Sequence, residues 1–317
     1  MGRRRGISVA DEEFEAYLKT LEDTPVLASV AEDTERRTRL SSRTIPAPSS
    51  TRIVTIANQK GGVGKTTTTV NVGAALAQAG LQVLVIDTDP QGNASTALGV
   101  PHDPSVASIY DVLLEGRPIS EVVQPCPEVE NLLVVPANID LAGAEIELVS
   151  TVSRETRLRE ALTQWIAERN DQGLRTDYVL IDCPPSLGLL TINAFTAANE
   201  VLIPIQCEYY ALEGLSQLLK NIELIQQGLN PTLHVSTILL TMYDGRTKLS
   251  LQVADEVRSH FPEQVLEATI PRTVRIAEAP SFGETVITYD PNGTGSLSYR
   301  EAAAEMADRG ARTPRAE

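Results

Sequence analysis

The chain has 317 residues, 42% hydrophobic and 22% charged, with a formal net charge of −15. That is a globular composition with ample length for a core, and its acidity argues against a surface that is basic all over, so any nucleic-acid contact must come from a local patch. No apolar run approaches the roughly 20 residues a membrane helix needs, the basic start "MGRRRG" has no apolar stretch behind it to make a secretory signal, and three scattered cysteines, Cys126, Cys183 and Cys207, read as a reduced cytosolic chain with no zinc site.

Residues 1–50 differ from the rest. They mix charge runs with the linker-like "SSRTIPAPSS". Within them, "DEEFEAYLKTLED" sets Phe14, Tyr17, Leu18 and Leu21 at helical spacing, which fits either a short docking helix over 11–22 or, as the composition favours, a partly helical disordered tail. From Thr51 the pattern changes. "RIVTIA" is a buried strand, and "TTTTVNVGAALAQAG" is a helix closed by Gly80. "QVLVID", "NLLVVPA", "YVLIDCPP" and "EVLIPIQ" read as further strands. The helical "EGLSQLLKNIELIQQ" precedes the strand "HVSTILLTMYD". Apolar strands alternating with helices predict one α/β domain over 51–310: a doubly wound, mostly parallel sheet with helices on both faces. "SLSYREAAAEMADRGA" reads as a C-terminal helix, with a polar tail over 311–317.

The chemistry gathers at strand ends. "NQKGGVGKTTTT" ends like a phosphate-binding loop, with Gly64, Lys65 and Thr66, but Gln59 stands where the strict pattern has its first glycine. Gly61 and Gly62 still let backbone N–H groups approach phosphate oxygens, and the helix that opens at about Lys65 points its dipole at the anion. Lys65 would reach the β- and γ-phosphates, and the Thr66 hydroxyl would hold Mg²⁺. The second strand ends in "DTDPQGN", placing Asp87 and Asp89 at the ligand edge of the sheet. Asp89 can orient or deprotonate a water, though an Asx turn before Pro90 would also account for it; Asp87 reads as structural or supporting. In "DYVLIDCPPSLG", Asp182 follows an apolar run as a Walker B acid does. Cys183 reads as a packed thiol, and the three histidines form no motif. Nothing within one monomer gives Lys60 a task.

"KGGVGKTTT", "DTDPQGN", "DCPPSLG", "IQCEYYALEGLSQLL" and "IPRTVRIAEAPSFG" together resemble the ParA/MinD family of deviant Walker A ATPases, and within it the chromosomal, Soj-like ParA proteins, from about Arg52 to Ala307. The resemblance implies a Mg²⁺-dependent ATPase. Its loop, Lys60, Gly61, Gly62, Val63, Gly64, Lys65, Thr66 and Thr67, binds ATP, with Met242 and Pro271 near the adenine. Lys60, Lys65 and Asp89 serve catalysis, while Thr66 and Asp182 serve the metal. It further implies that ATP drives a homodimer in which Lys60 crosses to the partner's phosphates. That dimer binds DNA without sequence preference; Arg246 matches a family arginine used for it, and Arg272, Arg275 and Lys248 are nearby candidates that surface solubility or loop salt bridges would equally explain. A ParB-type centromere-binding protein releases it by stimulating hydrolysis. The implied setting is the cytoplasm, on the nucleoid, for chromosome or plasmid partitioning.

Other readings share these residues. A MinD-like membrane ATPase would end in a basic amphipathic helix, and the Ala-rich end here lacks an aromatic or Leu face, so no membrane partner is expected. A nitrogenase-type iron protein would need cluster cysteines in Gly-rich loops, and Cys126 lies in "QPCPEVE". An adaptor-type ATPase that positions a non-DNA cargo would differ only in its basic patch and partner. Many plasmid ParA proteins carry an N-terminal DNA-binding domain, and the 50-residue extension is too short and too Pro/Ser-broken for one.

Overall fold

The computed structural model describes residues 25–209 and 211–312. The expected helix over 11–22 and the tail from 313 onward lie outside them. The chain divides into two units between Arg43 and Thr44. The described part of the first holds the helix α1 (Pro25–Ser41), where the sequence reading expected no helix. Its segment "VLASVAEDTERRTRLS" is free of internal glycine and proline, and Asp33 pairs with Arg36 one turn later at 2.9 Å.

The second unit begins at Thr44, ahead of the composition break at 50/51. Ile45 packs on the core, and the Pro48 carbonyl accepts from Arg175. It holds one eight-stranded sheet. The strands are β1 (Arg52–Ile56), β2 (Val83–Asp87), β3 (Gln124–Pro125), β4 (Leu132–Val135), β5 (Tyr178–Asp182), β6 (Glu200–Gln206), β7 (His234–Tyr243) and β8 (Val265–Pro271). Their order is β3-β4-β2-β5-β1-β6-β7-β8. Among the described residues only the β3–β4 pair is antiparallel, so β2, β4, β5, β1, β6, β7 and β8 all end at the same edge.

Strand alternation sorts the core into two layers. Leu84 and Ile86 of β2 join Val179 and Ile181 of β5 on one face, under Trp165 of α5 (Arg157–Asp171), Phe195 of α6 (Leu189–Ala197), Leu218 of α7 (Ala211–Gly228) and Val257 of α8 (Lys248–His260). Val83 and Val85 join Tyr178 and Leu180 on the other, under Leu76 of α2 (Lys65–Gln78) and Met306 of α11 (Thr294–Arg312). The remaining α-helices among the described residues are α3 (Asn93–Ala97), α4 (Leu141–Leu148), α9 (Val274–Glu278) and α10 (Val286–Tyr289). Gly73 lets α2 sit close to the sheet, since a Cβ there would stand 3.1 Å from Val85 Cγ2. The edge strand β8 is covered: Glu305 of α11 accepts the Glu267 and Ala268 backbone N–H groups at 2.9 and 3.1 Å, which removes a free edge from the sheet.

Candidate active site

The loop between β1 and α2 is shaped by its glycines. Gly62 and Gly64 have φ of +73° and +90°, the left-handed region that favours glycine. No atom lies within 4 Å of where a Cβ would stand on Gly61 or Gly62. The space over the loop is therefore open to an anion, and any side chain there would fill it. Gly64 caps α2, whose first turn holds no acidic residue, so its N-terminal dipole is left for a ligand. Thr241 of β7 pins the loop from beneath, donating from its hydroxyl to Val63 O at 2.8 Å.

Lys65 is buried, at 7% exposure. Its ammonium donates to Lys60 O over a long 3.4 Å. Burial lowers its pKa, against the opposing pull of Asp182, Cys183 and Asp89. A buried cation lining an open phosphate-sized cradle suits an anionic ligand.

β5 lies between β1 and β2, which sets the carboxylates. Asp182 is the register partner of Ile56 on one side and of Asp87 on the other. Its two oxygens accept the Thr66 and Thr69 hydroxyls at 2.7 and 2.9 Å. Full burial, then the neighbouring Asp87 charge, raises its pKa. Asp87 is raised by the same burial, while its Oδ2 accepts the Ser95 N–H and hydroxyl at 2.8 and 2.7 Å and its Oδ1 accepts Asp89 N–H at 3.1 Å. Asp87 therefore builds the turn that presents Asp89. Asp89 accepts the Gln91 N–H at 3.0 Å, an Asx turn, yet also lines the cleft over the loop. Asp89 thus closes a turn and also faces the cleft.

The cleft has a volume of about 790 Å³ and is lined by Gly61, Gly62, Gly64, Lys65, Thr66, Thr67, Asp89 and Met242, with Pro185 and Pro280. Met242 has φ of +49°, a left-handed backbone in a residue with a Cβ, which costs about 1–2 kcal/mol. It sits where the β7–β8 register shifts. Four residues expected here do not line the cleft: Val63 and Asp182 are fully buried, and Pro271 and Lys60 are placed elsewhere. Pro271 pairs in register with Tyr243 and does not line the cleft; Pro280, nine residues later in the same quoted motif, does. Lys60 does not line it either: its Nζ pairs with Glu208 Oε2 at 2.5 Å. Glu208, Thr69 and Ser95 were missed by the sequence reading, because none belongs to a periodic pattern or a motif position with a stated task.

A cleft with an anion cradle, a buried lysine and a hydroxyl–carboxylate pair fits a nucleotide with Mg²⁺. Gly61–Thr67 would hold the phosphates, and Thr66 with Asp182 would hold the metal, which would neutralise phosphate charge there. The comparisons agree. Residues 51–235 match a family model described as an AAA domain. The chain is 53% identical to the chromosome partitioning protein ParA of Myxococcus xanthus, over 81% of this chain and 88% of that protein. It is 52% identical to the sporulation initiation inhibitor protein Soj of Bacillus subtilis, over 82% and 99%. The chain belongs to the ParA/Soj family. Its enzymatic class is that of the P-loop ATPases, with ATP and Mg²⁺ as cofactors. A solved structure, named cobyrinic acid a,c-diamide synthase from Mycobacterium smegmatis with bound ADP and magnesium, superposes with a TM-score of 0.67 at 40% identity, covering 80% of this chain and 92% of that one.

The arginines expected at a ParA/Soj DNA surface lie outside the cleft. Arg246 follows β7 and Arg272 follows β8, so the neighbouring strands deliver both beyond one edge of the sheet. The Arg246 side chain is 91% exposed and pairs with Asp244 at 2.9 and 3.0 Å. Arg272 and Lys248 are exposed. Arg275 pairs with Glu278 at 3.3 Å and lies over the Tyr289 ring. Among the described residues no helix is long and apolar enough to cross a membrane, and α11 turns Tyr299, Ala303 and Met306 into the core.

Proposed function

We propose that this chain is a partitioning ATPase whose ATP-bound form is a homodimer that binds DNA without sequence preference and leaves it when a ParB-type protein stimulates hydrolysis. The supporting observation is the orientation of Lys60. Lys65 already serves the cleft of its own chain, while Lys60 faces Glu208 and leaves that cleft. A second loop lysine with no use for its own nucleotide is suited to another copy's phosphates.

Within one site the roles divide by geometry. The loop N–H groups and Lys65 hold and neutralise the phosphates. Asp89 orients the attacking water from the cleft wall. Thr66 and Asp182 hold the metal. Arg246, with Arg272 and Arg275, supplies the DNA contacts. Each dimer doubles the patch, so a net acidic chain can bind DNA weakly and in a salt-sensitive way. That places the protein on the nucleoid only while ATP-bound.

Diamide synthesis fed by ammonia from glutamine, a second reading suggested by the name of the Mycobacterium smegmatis protein, finds less support here. Release of ammonia from glutamine by a thiolate needs an accessible, acidified cysteine. Cys126, Cys183 and Cys207 are all buried, and burial raises each thiol, Cys183 to about 12 and Cys207 to about 11.

The deciding experiment measures retention of the full chain on non-specific duplex DNA at low salt with ATP, with ADP and without nucleotide. Retention with ATP alone, lost on adding a ParB-type protein, is expected. Equal retention in all three states would sink the reading.

A further inference from the structure

At the carboxyl edge of the sheet, β6 runs past β1. Ile56, the last residue of β1, pairs with Leu202, and β6 continues to Gln206. At about 3.3 Å per residue, Ile203 to Gln206 carry the chain on the order of 13 Å further, over the start of the phosphate loop.

This overshoot grips Lys60 twice. Asn58 Nδ2–H donates to Pro204 O at 2.8 Å, and the Lys60 backbone N–H donates to Asn58 Oδ1 at 3.0 Å. The Lys60 ammonium then donates to Glu208 Oε2 at 2.5 Å, while Gln206 Nε2–H donates to Glu208 Oε1, also at 2.5 Å. Glu208 is thus held from both oxygens, by an amide on one and the lysine on the other. The two side chains are 40% and 49% exposed, so the pair is open to exchange with an incoming anion.

An ammonium seated on Glu208 cannot be seated on a phosphate. We propose that Glu208 is the resting-state holder of Lys60: a positioning residue that keeps the ammonium docked in the single chain and must be exchanged for phosphate oxygens of a second copy's nucleotide when two copies assemble. The exchange trades one anion for another, so its free energy is small and either sign of perturbation is measurable. Glu208 has this role only if Lys60 acts across a subunit interface, as proposed above. Without Glu208 the lysine starts uncommitted, and assembly needs no ion pair broken.

The test is sedimentation velocity over a range of concentrations of the full chain, with Mg²⁺ and a slowly hydrolysed ATP analogue, for wild type, Glu208→Gln and Glu208→Asp. Glu208→Gln should lower the dimer dissociation constant about two- to fivefold, the size set by an exposed ion pair. Glu208→Asp keeps the charge on a shorter arm and should fall between the two; thermal melts check that both variants fold. An unchanged or weaker dimer in a folded Glu208→Gln, or a Glu208→Asp outside that range, would overturn the role of Glu208 while leaving the ATP-driven dimer intact. A wild type that stays monomeric at every concentration would overturn both.

Discussion

Asp87 and Asp182 are register partners on adjacent parallel strands, and both are fully buried. Burial raises the pKa of both, and the neighbouring Asp87 charge raises Asp182 further. They differ in what they hold. Asp87 is consumed by Ser95 and the Asp89 backbone, while Asp182 is met by the hydroxyls of Thr66 and Thr69. On the proposed function the metal role is therefore assigned to Asp182. Asp182→Asn keeps the shape and removes the charge. In a thermal melt with ADP, Mg²⁺ should stabilise the wild type, and that Mg²⁺-dependent increment should vanish in the variant. An increment of wild-type size would take Asp182 out of the metal site.

Lys65 is the only cation among the residues that line the cleft. Lys65→Ala should weaken binding of a fluorescent ATP analogue at least about a hundredfold, since a charge-assisted, desolvated contact to phosphate is lost. Binding within tenfold of wild type would mean that the loop backbone carries the affinity.

Asp89 contacts the cleft but holds no part of the loop. Asp89→Ala should leave nucleotide binding within a few-fold and slow single-turnover hydrolysis about 10²- to 10⁴-fold, the usual worth of a positioned acid–base group. Because Asp89 also closes the Asx turn through Gln91, Asp89→Asn is the cleaner variant. It keeps an acceptor for that N–H and should be as slow. Normal turnover in Asp89→Asn would reject the assignment.

The sheet core was legible because its strands are apolar runs punctuated by Gly, Asp and Pro. β1, β2, β5 and β6 are such runs, and the phosphate loop and Asp182 follow from where they stop. Strand order was not legible, since crossover connections leave no local signal; only the order shows that β5 separates β1 from β2 and brings Asp182 beside the loop. β8, "VLEATIP", mixes polar residues into an edge strand that α11 covers, so its alternation is weak. The Lys60–Glu208 pair joins residues far apart in sequence, and no spacing rule reaches that far. Pro271 and Pro280 lie in one motif, and only the fold decides which of them meets the cleft.

Arg246 extends into solvent with Asp244 as its partner. Arg246→Glu should weaken ATP-dependent retention on non-specific DNA at least tenfold at low salt, and reduce the slope of log affinity against log salt, because phosphate contacts release counterions. ATP-dependent dimerisation should be unchanged, as Arg246 does not line the cleft. Loss of dimerisation alongside DNA binding would place the residue at the subunit interface instead.

Arg52 of β1 and Glu200 of β6 form a two-pronged pair at 2.7 and 2.6 Å, and the same guanidinium donates to the Tyr178 hydroxyl at 3.0 Å and the Met306 carbonyl of α11 at 2.9 Å. It ties two strands to the C-terminal helix, and an added Cβ at Gly310 would collide with it. Removing one member leaves a buried charge without its partner, which costs about 3–5 kcal/mol. Glu200→Gln should therefore lower the urea midpoint at pH 7. The pH dependence has a definite sign. Burial alone would raise the Glu200 carboxyl, but the hydrogen bonds and charge of Arg52 outweigh it and hold it below its ordinary value of 4.5. A carboxyl depressed in the folded state contributes stability that is complete above its unfolded pKa and is lost as pH falls through the folded one. The gap in unfolding free energy between wild type and Glu200→Gln should stay constant from pH 8 to 6 and close below about pH 4.5, as the wild-type glutamate takes up a proton and comes to resemble glutamine. A gap that persists to pH 3 would show that the loss lies in packing against Tyr178 and Met306, with the charge of Glu200 contributing nothing.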